Sequence, residues 1–281
     1  MKTNLILFFK GIIIGLANVI PGVSGGTLMI TLGIYKNIIE TISHFFSNFK
    51  KNLQFIIPIG LGLLVAILLF SKIINLSLEK FPFATTLFFL GIILGGIPLI
   101  VKKMQKDKFE TKKISNYIIA FITFAFIIIF AMLKTDNEVN LDNLSFLSLI
   151  ILFLVGMLAS STMVIPGVSG SFVLMLVGYY KPIINTISSL TDFNLIGHNL
   201  LIIGSFLLGA IIGIVLISKL IEFLLNKYET KTYYAVFGFI MASIIAIIKP
   251  LFSTNLNVLE VLIGLVLALV GFLVAFKLSE K

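Results

Sequence analysis

"PGVSGGT" occupies residues 21–27 and "PGVSGS" residues 166–171, each inside an apolar stretch. Proline disfavours helix at the residue before it, and glycine permits conformations closed to other residues, so a helix entering either stretch must stop there. The first copy is flanked by "LANVI" and "LMITLG", and neither copy has a charge within seven positions. A surface turn is normally polar around its breakers. Interrupted backbone at membrane depth survives only where protein shields it or where it lines a wet cavity.

The rest of the chain supplies the membrane. Of 281 residues, 59% are hydrophobic and 12% charged, which places the sequence in the multi-span class. Apolar runs cover 5–20, 28–42, 55–76, 83–101, 114–133, 144–165, 172–190, 195–221, 233–248 and 258–276, leaving no room for a soluble domain. Residues 1–281 therefore read as one all-α, polytopic membrane domain. The basic start resembles a signal peptide but lacks a small-x-small cleavage site, so it is expected to be retained. The sequence has no cysteine, which excludes disulfide and thiol chemistry, and its two histidines, His44 and His198, are isolated. No metal and no cofactor are expected. The net charge of +9 comes entirely from lysine. In a membrane protein it encodes orientation and attraction to anionic lipid, and no nucleic-acid partner is expected.

The two copies belong to a longer duplication. A shift of 145 residues aligns Gly11 with Gly156, Gly33 with Gly178, Tyr35-Lys36 with Tyr180-Lys181 and Thr41-Ile42-Ser43 with Thr186-Ile187-Ser188. A shift of 147 then aligns Gly62 with Gly209, Ser71-Lys72 with Ser218-Lys219, Lys80 with Lys227 and Gly91 with Gly238. The first repeat spans 1–134 and the second 144–281. Each holds five apolar runs, so each crosses the membrane an odd number of times and the second is inverted. Lysine placement agrees. With "VKKMQKDKFETKK" inside, sixteen of twenty-one lysines, Lys10 among them, fall on the cytoplasmic side, the acidic "KTDNEVNLDN" falls outside, and both termini are inside.

In the first copy Ser24 is placed to cap a helix running through 28–42. Neither leg spans comfortably, each being roughly 24 Å long against a hydrocarbon core of about 30 Å. The expectation is a re-entrant hairpin over 5–43 and another over 144–190, each followed by three transmembrane helices; the plainer alternative is a turn between two full spans. Two helix N-termini would then converge near the midplane, offering Gly22, Val23, Ser24, Gly25, Gly26 and Thr27 from one side and Gly167, Val168, Ser169, Gly170 and Ser171 from the other. Such ends attract anions. Lys36 and Lys181 lie roughly 13 Å farther along, toward opposite surfaces, as entrance residues or as interfacial snorkelers. Glu40, whose counterpart is Asn185, is a candidate for a coupling proton or an interfacial group near His44. Asn18 and Ser160 to Thr162 add polar groups that can bond backbone carbonyls in their own helices. No nucleophile with a paired base is visible, so an enzyme is not expected.

These paired motifs, with inverted repeats over nearly the whole chain, resemble the PopT-type polyprenyl-phosphate transporters, formerly a domain of unknown function. The resemblance implies transfer of undecaprenyl phosphate across a prokaryotic cytoplasmic membrane, from outer to inner leaflet, for recycling in envelope synthesis. It carries over to residues 21–27 and 166–171, where the second copy departs by having Ser171 and Phe172 in place of Gly26 and Thr27. A lipid phosphate suits the composition: its head needs helix ends and lysines, while its tail stays in the bilayer. The rivals are an ion-coupled transporter of a small soluble anion, a lipid-phosphate hydrolase and an uncoupled scramblase.

Overall fold

The computed structural model describes residues 2–19, 24–66, 76–77, 80–105, 113–132, 139–141, 144–167, 169–189, 196–248 and 258–279. Regular structure among them is helical. The helices are α1 Lys2–Val19, α2 Gly25–Thr31, α3 Tyr35–Ser43, α4 Phe49–Val65, α5 Pro82–Met104, α6 Ile114–Met132, α7 Phe146–Val164, α8 Gly170–Leu176, α9 Tyr180–Ser188, α10 Ile196–Lys227, α11 Glu229–Ile248 and α12 Val258–Ser279.

Four helix pairs build the frame: α1 on α4, α7 on α10, α5 on α12 and α6 on α11. The first two crossings are close because glycine removes the Cβ at the contact. A Cβ at Gly11 would run into the Ile59 carbonyl and one at Gly62 into that of Phe8. In α7 and α10 the same contacts recur, Gly156 against Phe206 and Gly209 against Phe153.

The expected continuous helix over 28–42 is instead two helices, α2 and α3, separated at Leu32 to Ile34. Gly33 takes a left-handed φ of 72°. Its N–H donates to Ile30 O at 2.8 Å and that of Ile34 to Met29 O at 3.0 Å, a Schellman closure of the helix end. The second copy breaks in the same way. Gly178 has φ 77°, its N–H donates to Met175 O at 3.1 Å, and Tyr179 N–H donates to Leu174 O at 2.9 Å. A single glycine in an apolar run reads as a tolerated helix residue, but here it supplies the conformation that ends one.

Five helices, α5, α7, α10, α11 and α12, are long and apolar enough to cross a membrane; the apolar parts of α1 and α6, Asn4–Leu16 and Ile114–Phe130, are shorter. Among the five, α7 differs from its expected role as a short hairpin leg. It begins at a capping box between Ser145 and Ser148 and runs for 19 residues, about 28 Å. The span expected over 55–76 is described only to Ala66, and residues 67–75 lie outside the described part.

The core gathers on α2, α3, α5 and α11, where Leu28, Leu32, Ile39, Phe89, Ile93 and Ile240 are buried. Large apolar side chains of α6, α10 and α12, including Phe121, Ile211 and Leu265, are exposed, as the lipid-facing surface of a membrane bundle requires. Helices α2 and α3 therefore sit at the centre of the molecule.

Candidate functional site

The end of α7 leaves backbone groups without partners in their own helix. Ile165 leaves the helix in an extended conformation (φ −73°, ψ 124°), Pro166 has no N–H, and Gly167 takes φ +82°. Ser24, Thr27 of α2 and Tyr35 of α3 supply the missing partners. Tyr35 donates its hydroxyl to Val164 O at 3.1 Å, and Ser24 donates to Ile165 O at a longer 3.5 Å. The Gly167 N–H donates to Thr27 Oγ1 at 2.9 Å. Gly26 closes the contact: a Cβ there would come within 2.9 Å of Val164 O. Polar groups of one copy thus satisfy the backbone interrupted by the other, which a buried break of this kind requires.

The two copies are not used alike. Ser24 and Thr27 are 3% and 0% exposed, whereas Ser169 is half-buried and Ser171 is exposed. Ser24 stands at the N-cap position of α2, but its side chain makes no capping bond to that helix, contrary to the sequence expectation, because it turns to Ile165. Ser169 likewise makes no cap bond to α8 and shares a 2.8 Å contact with the Ser171 hydroxyl. Gly25, Gly26 and Gly170 are buried and Gly167 is half-buried; Gly22, Val23 and Val168 lie outside the described residues.

Of the lysines singled out in the sequence, Lys36 is half-exposed and lies 3.7 Å from Glu40, one turn along α3. Lys181 is exposed on α9. Lys10 is 3% exposed and donates from Nζ to Leu32 O at 2.7 Å, bridging α1 to the carbonyl end of α2. A cation at a helix C-terminus is favourably placed. Ser160 and Thr162 donate to carbonyls of their own helix, at Met157 and Ala159, while Ser161 crosses to Gly213 of α10. The side chain of Asn18 lies outside the described residues.

Two polar cavities adjoin the ends of α3 and α9. One, of about 520 Å³, is lined by Asn37, Glu40, Thr41, His44, Lys51, Asn52, Phe55 and Glu222. The other, of about 740 Å³, is lined by Pro182, Asn185, Thr186, Ser189, His198, Asn199 and Ile202, together with Val139 to Leu141. Their walls correspond residue by residue at the offsets of the duplication, Asn37 with Pro182, Glu40 with Asn185, His44 with Ser189, Lys51 with His198 and Phe55 with Ile202. One amide secures both. Asn52 Nδ2 donates to His44 O at 2.8 Å and to Phe45 O at 3.0 Å, and Asn199 Nδ2 donates to Ser189 O at 3.1 Å. Their charge differs. His44 Nε2 lies 3.0 Å from Glu222 Oε1 in the first cavity, whereas His198 Nε2 meets Leu141 O at 2.9 Å in the second.

Sequence reasoning missed the roles of Tyr35, Lys10 and Glu222, whose partners are remote in the chain. It could have found Asn52 and Asn199, which coincide at the shift of 147.

Broken helices that meet inside an apolar bundle, with polar cavities beyond them, define a multi-pass membrane protein built like a transporter. Comparison with known proteins gives the family. A family model described as undecaprenyl phosphate translocase-like, the VCA0040-like family, matches residues 14–260, and the chain belongs to this family. The chain is similar to a polyprenyl-phosphate transporter of Staphylococcus aureus (strain NCTC 8325 / PS 47), with 32% identity over 275 residues covering 96% of this chain and 94% of that one. A polyprenyl-phosphate transporter of Vibrio cholerae serotype O1 is 29% identical over 253 residues, 84% of this chain and 75% of its own length. No solved structure matches the chain.

Proposed function

We propose that the protein moves a polyprenyl phosphate between the leaflets of a prokaryotic cytoplasmic membrane, from outer to inner, so that the carrier lipid is reused in envelope synthesis. The observation that carries this reading is the contact of the two PGVSG copies inside an apolar bundle, where Gly167 N–H meets Thr27 Oγ1. Both relatives bear the name of a polyprenyl-phosphate transporter, which supports the same substrate. The head would travel along the two motifs while the tail remains in lipid, and nothing in this process requires a bond to be made or broken.

The architecture we assign is two inverted repeats, each a re-entrant hairpin with three transmembrane helices, N-in and C-in. Three features support it. Helices α8 and α9 begin 145 residues after α2 and α3 and have their lengths, seven and nine residues. The glycine crossings of α1 on α4 recur in α7 on α10. Lys10 on α1 reaches Leu32, the residue after α2, as antiparallel legs would bring about. Burial of Ser24 and Thr27 beside exposed Ser171 fits a conformation closed at the first copy and open at the second, one half of an alternating cycle. Ser24, Ser169, Ser171 and the backbone around them take the phosphate in this scheme, with Lys36 and Lys181 at the two entrances.

The test uses purified protein in liposomes holding a fluorescent polyprenyl phosphate, with an impermeant quencher to count probe that changes leaflet. The matching polyprenyl alcohol is the control. Accelerated movement of the phosphate probe alone supports the proposal. Movement of neither probe, together with uptake of a soluble anion under an imposed ion gradient, would replace it with a soluble-anion transporter.

A further inference from the structure

We infer that the cavity lined by Glu40, His44, Lys51 and Glu222 is a second, peripheral station for a phosphate monoester headgroup, which competes there with carboxylates of the protein itself. The inference rests on the lipid-phosphate reading above.

The cavity contains the charges such a group needs. Lys51 lines it from α4 and His44 from the turn after α3, while Asn37 and Thr41 add neutral hydrogen-bonding groups from α3. Two carboxylates, Glu40 and Glu222, share its wall. His44 is 60% exposed and faces Glu222, 15% exposed, across 3.0 Å; Lys36 lies 3.7 Å from Glu40. Each carboxylate occupies a place that a phosphate oxygen can take, because carboxylate and phosphate present the same acceptor chemistry to these donors. The volume, about 520 Å³, is ample for a phosphate with its hydration.

Comparison of the two cavities sharpens the assignment. At the equivalent positions Glu40 is replaced by Asn185, His44 by Ser189 and Lys51 by His198, and the place of Glu222 has no carboxylate among the described lining residues. The same architecture thus carries two carboxylates and a lysine at one end and, at the other, neither carboxylate nor lysine among the described lining residues. In the inverted arrangement these ends face opposite leaflets, so the headgroup meets ion exchange on one side only. The alternative is that Glu222 and His44 merely fasten α3 to α10, on which it packs.

The experiment measures binding rather than transport, by calorimetric titration of the full chain in detergent with farnesyl phosphate, farnesol and inorganic phosphate. It is run in the native background and in S24A+S169A, with E222Q and H44Q+K51Q in each. The expected result is that E222Q tightens farnesyl phosphate binding about fivefold and H44Q+K51Q weakens it about tenfold, the scale of one or two partly exposed charge contacts. Farnesol should be unaffected, and the S24A+S169A background should retain both effects. Tight competition by inorganic phosphate would support the anion site and identify its source as free phosphate; weak competition assigns it to the lipid head. E222Q that lowers the melting temperature but leaves or weakens phosphate binding makes the pair a fastener and overturns the station. Binding lost only in S24A+S169A also overturns it, while leaving the proposed function intact.

Discussion

Gly167 donates its N–H to Thr27 Oγ1 across 2.9 Å, joining two residues 140 positions apart. With Tyr35 on Val164 O, it ties α2 and α3 to the end of α7. The threonine has two duties, since its backbone carbonyl also accepts from Thr31 Oγ1 at 2.9 Å.

Substituting Thr27→Val keeps the shape and removes the acceptor. Gly167 is half-buried, so leaving its N–H unpaired should cost about 1 kcal/mol, the low end for a lost donor; T27V should melt lower in detergent, and T27S should restore most of the loss. Equal melting of T27V and the native chain would show that Gly167 has another partner.

Glycine at the helix crossings is required by space. G62A and G209A each push a Cβ into a carbonyl of the facing helix, at Phe8 and Phe153, and each should destabilise by roughly 1–3 kcal/mol. Gly60 has nothing within 4 Å of an added Cβ, so G60A should lack this penalty. Thermal melts of the three variants check the prediction; a large effect confined to one of G62A and G209A would argue against equivalent crossings.

Lys10→Met leaves the Leu32 carbonyl without its buried donor. We expect a loss of about 1–3 kcal/mol, partly recovered by K10Q, which restores a neutral donor of shorter reach. The comparison is read from thermal melts, and a K10M chain as stable as the native one would make the lysine dispensable to the fold.

The absence of cysteine makes accessibility simple to measure. Single variants K51C and H198C, from equivalent cavities, should be labelled by an impermeant maleimide from opposite faces of oriented vesicles. Labelling from the same face would contradict the inverted arrangement. In the same assay S171C should react readily and S24C slowly, in keeping with exposed and buried side chains.

Much of this organisation was legible before any coordinates. The offset of 145 was read from Gly33 with Gly178 and Tyr35 with Tyr180, and both breaks fall on those glycines because left-handed backbone is what glycine provides. The breaks themselves went unread, since the apolar run from 28 to 42 continues through Gly33 and hydropathy does not register φ. Ser24 looked like a cap because local sequence reports only the nearest backbone; its partner is 141 residues away. Burial of Lys10 and the pairing of His44 with Glu222 were equally hidden, because both depend on which helices pack together. The family's motif was visible, but the contact between its two copies was not.

The most direct measurement of the central claim is the leaflet assay with fluorescent polyprenyl phosphate, comparing the native chain with S24A+S169A+S171A of equal melting temperature. The account predicts that native protein accelerates movement of the phosphate probe and that the triple variant falls toward the rate of protein-free liposomes. A folded triple variant that moves the probe as fast as the native chain would show that the headgroup passes elsewhere.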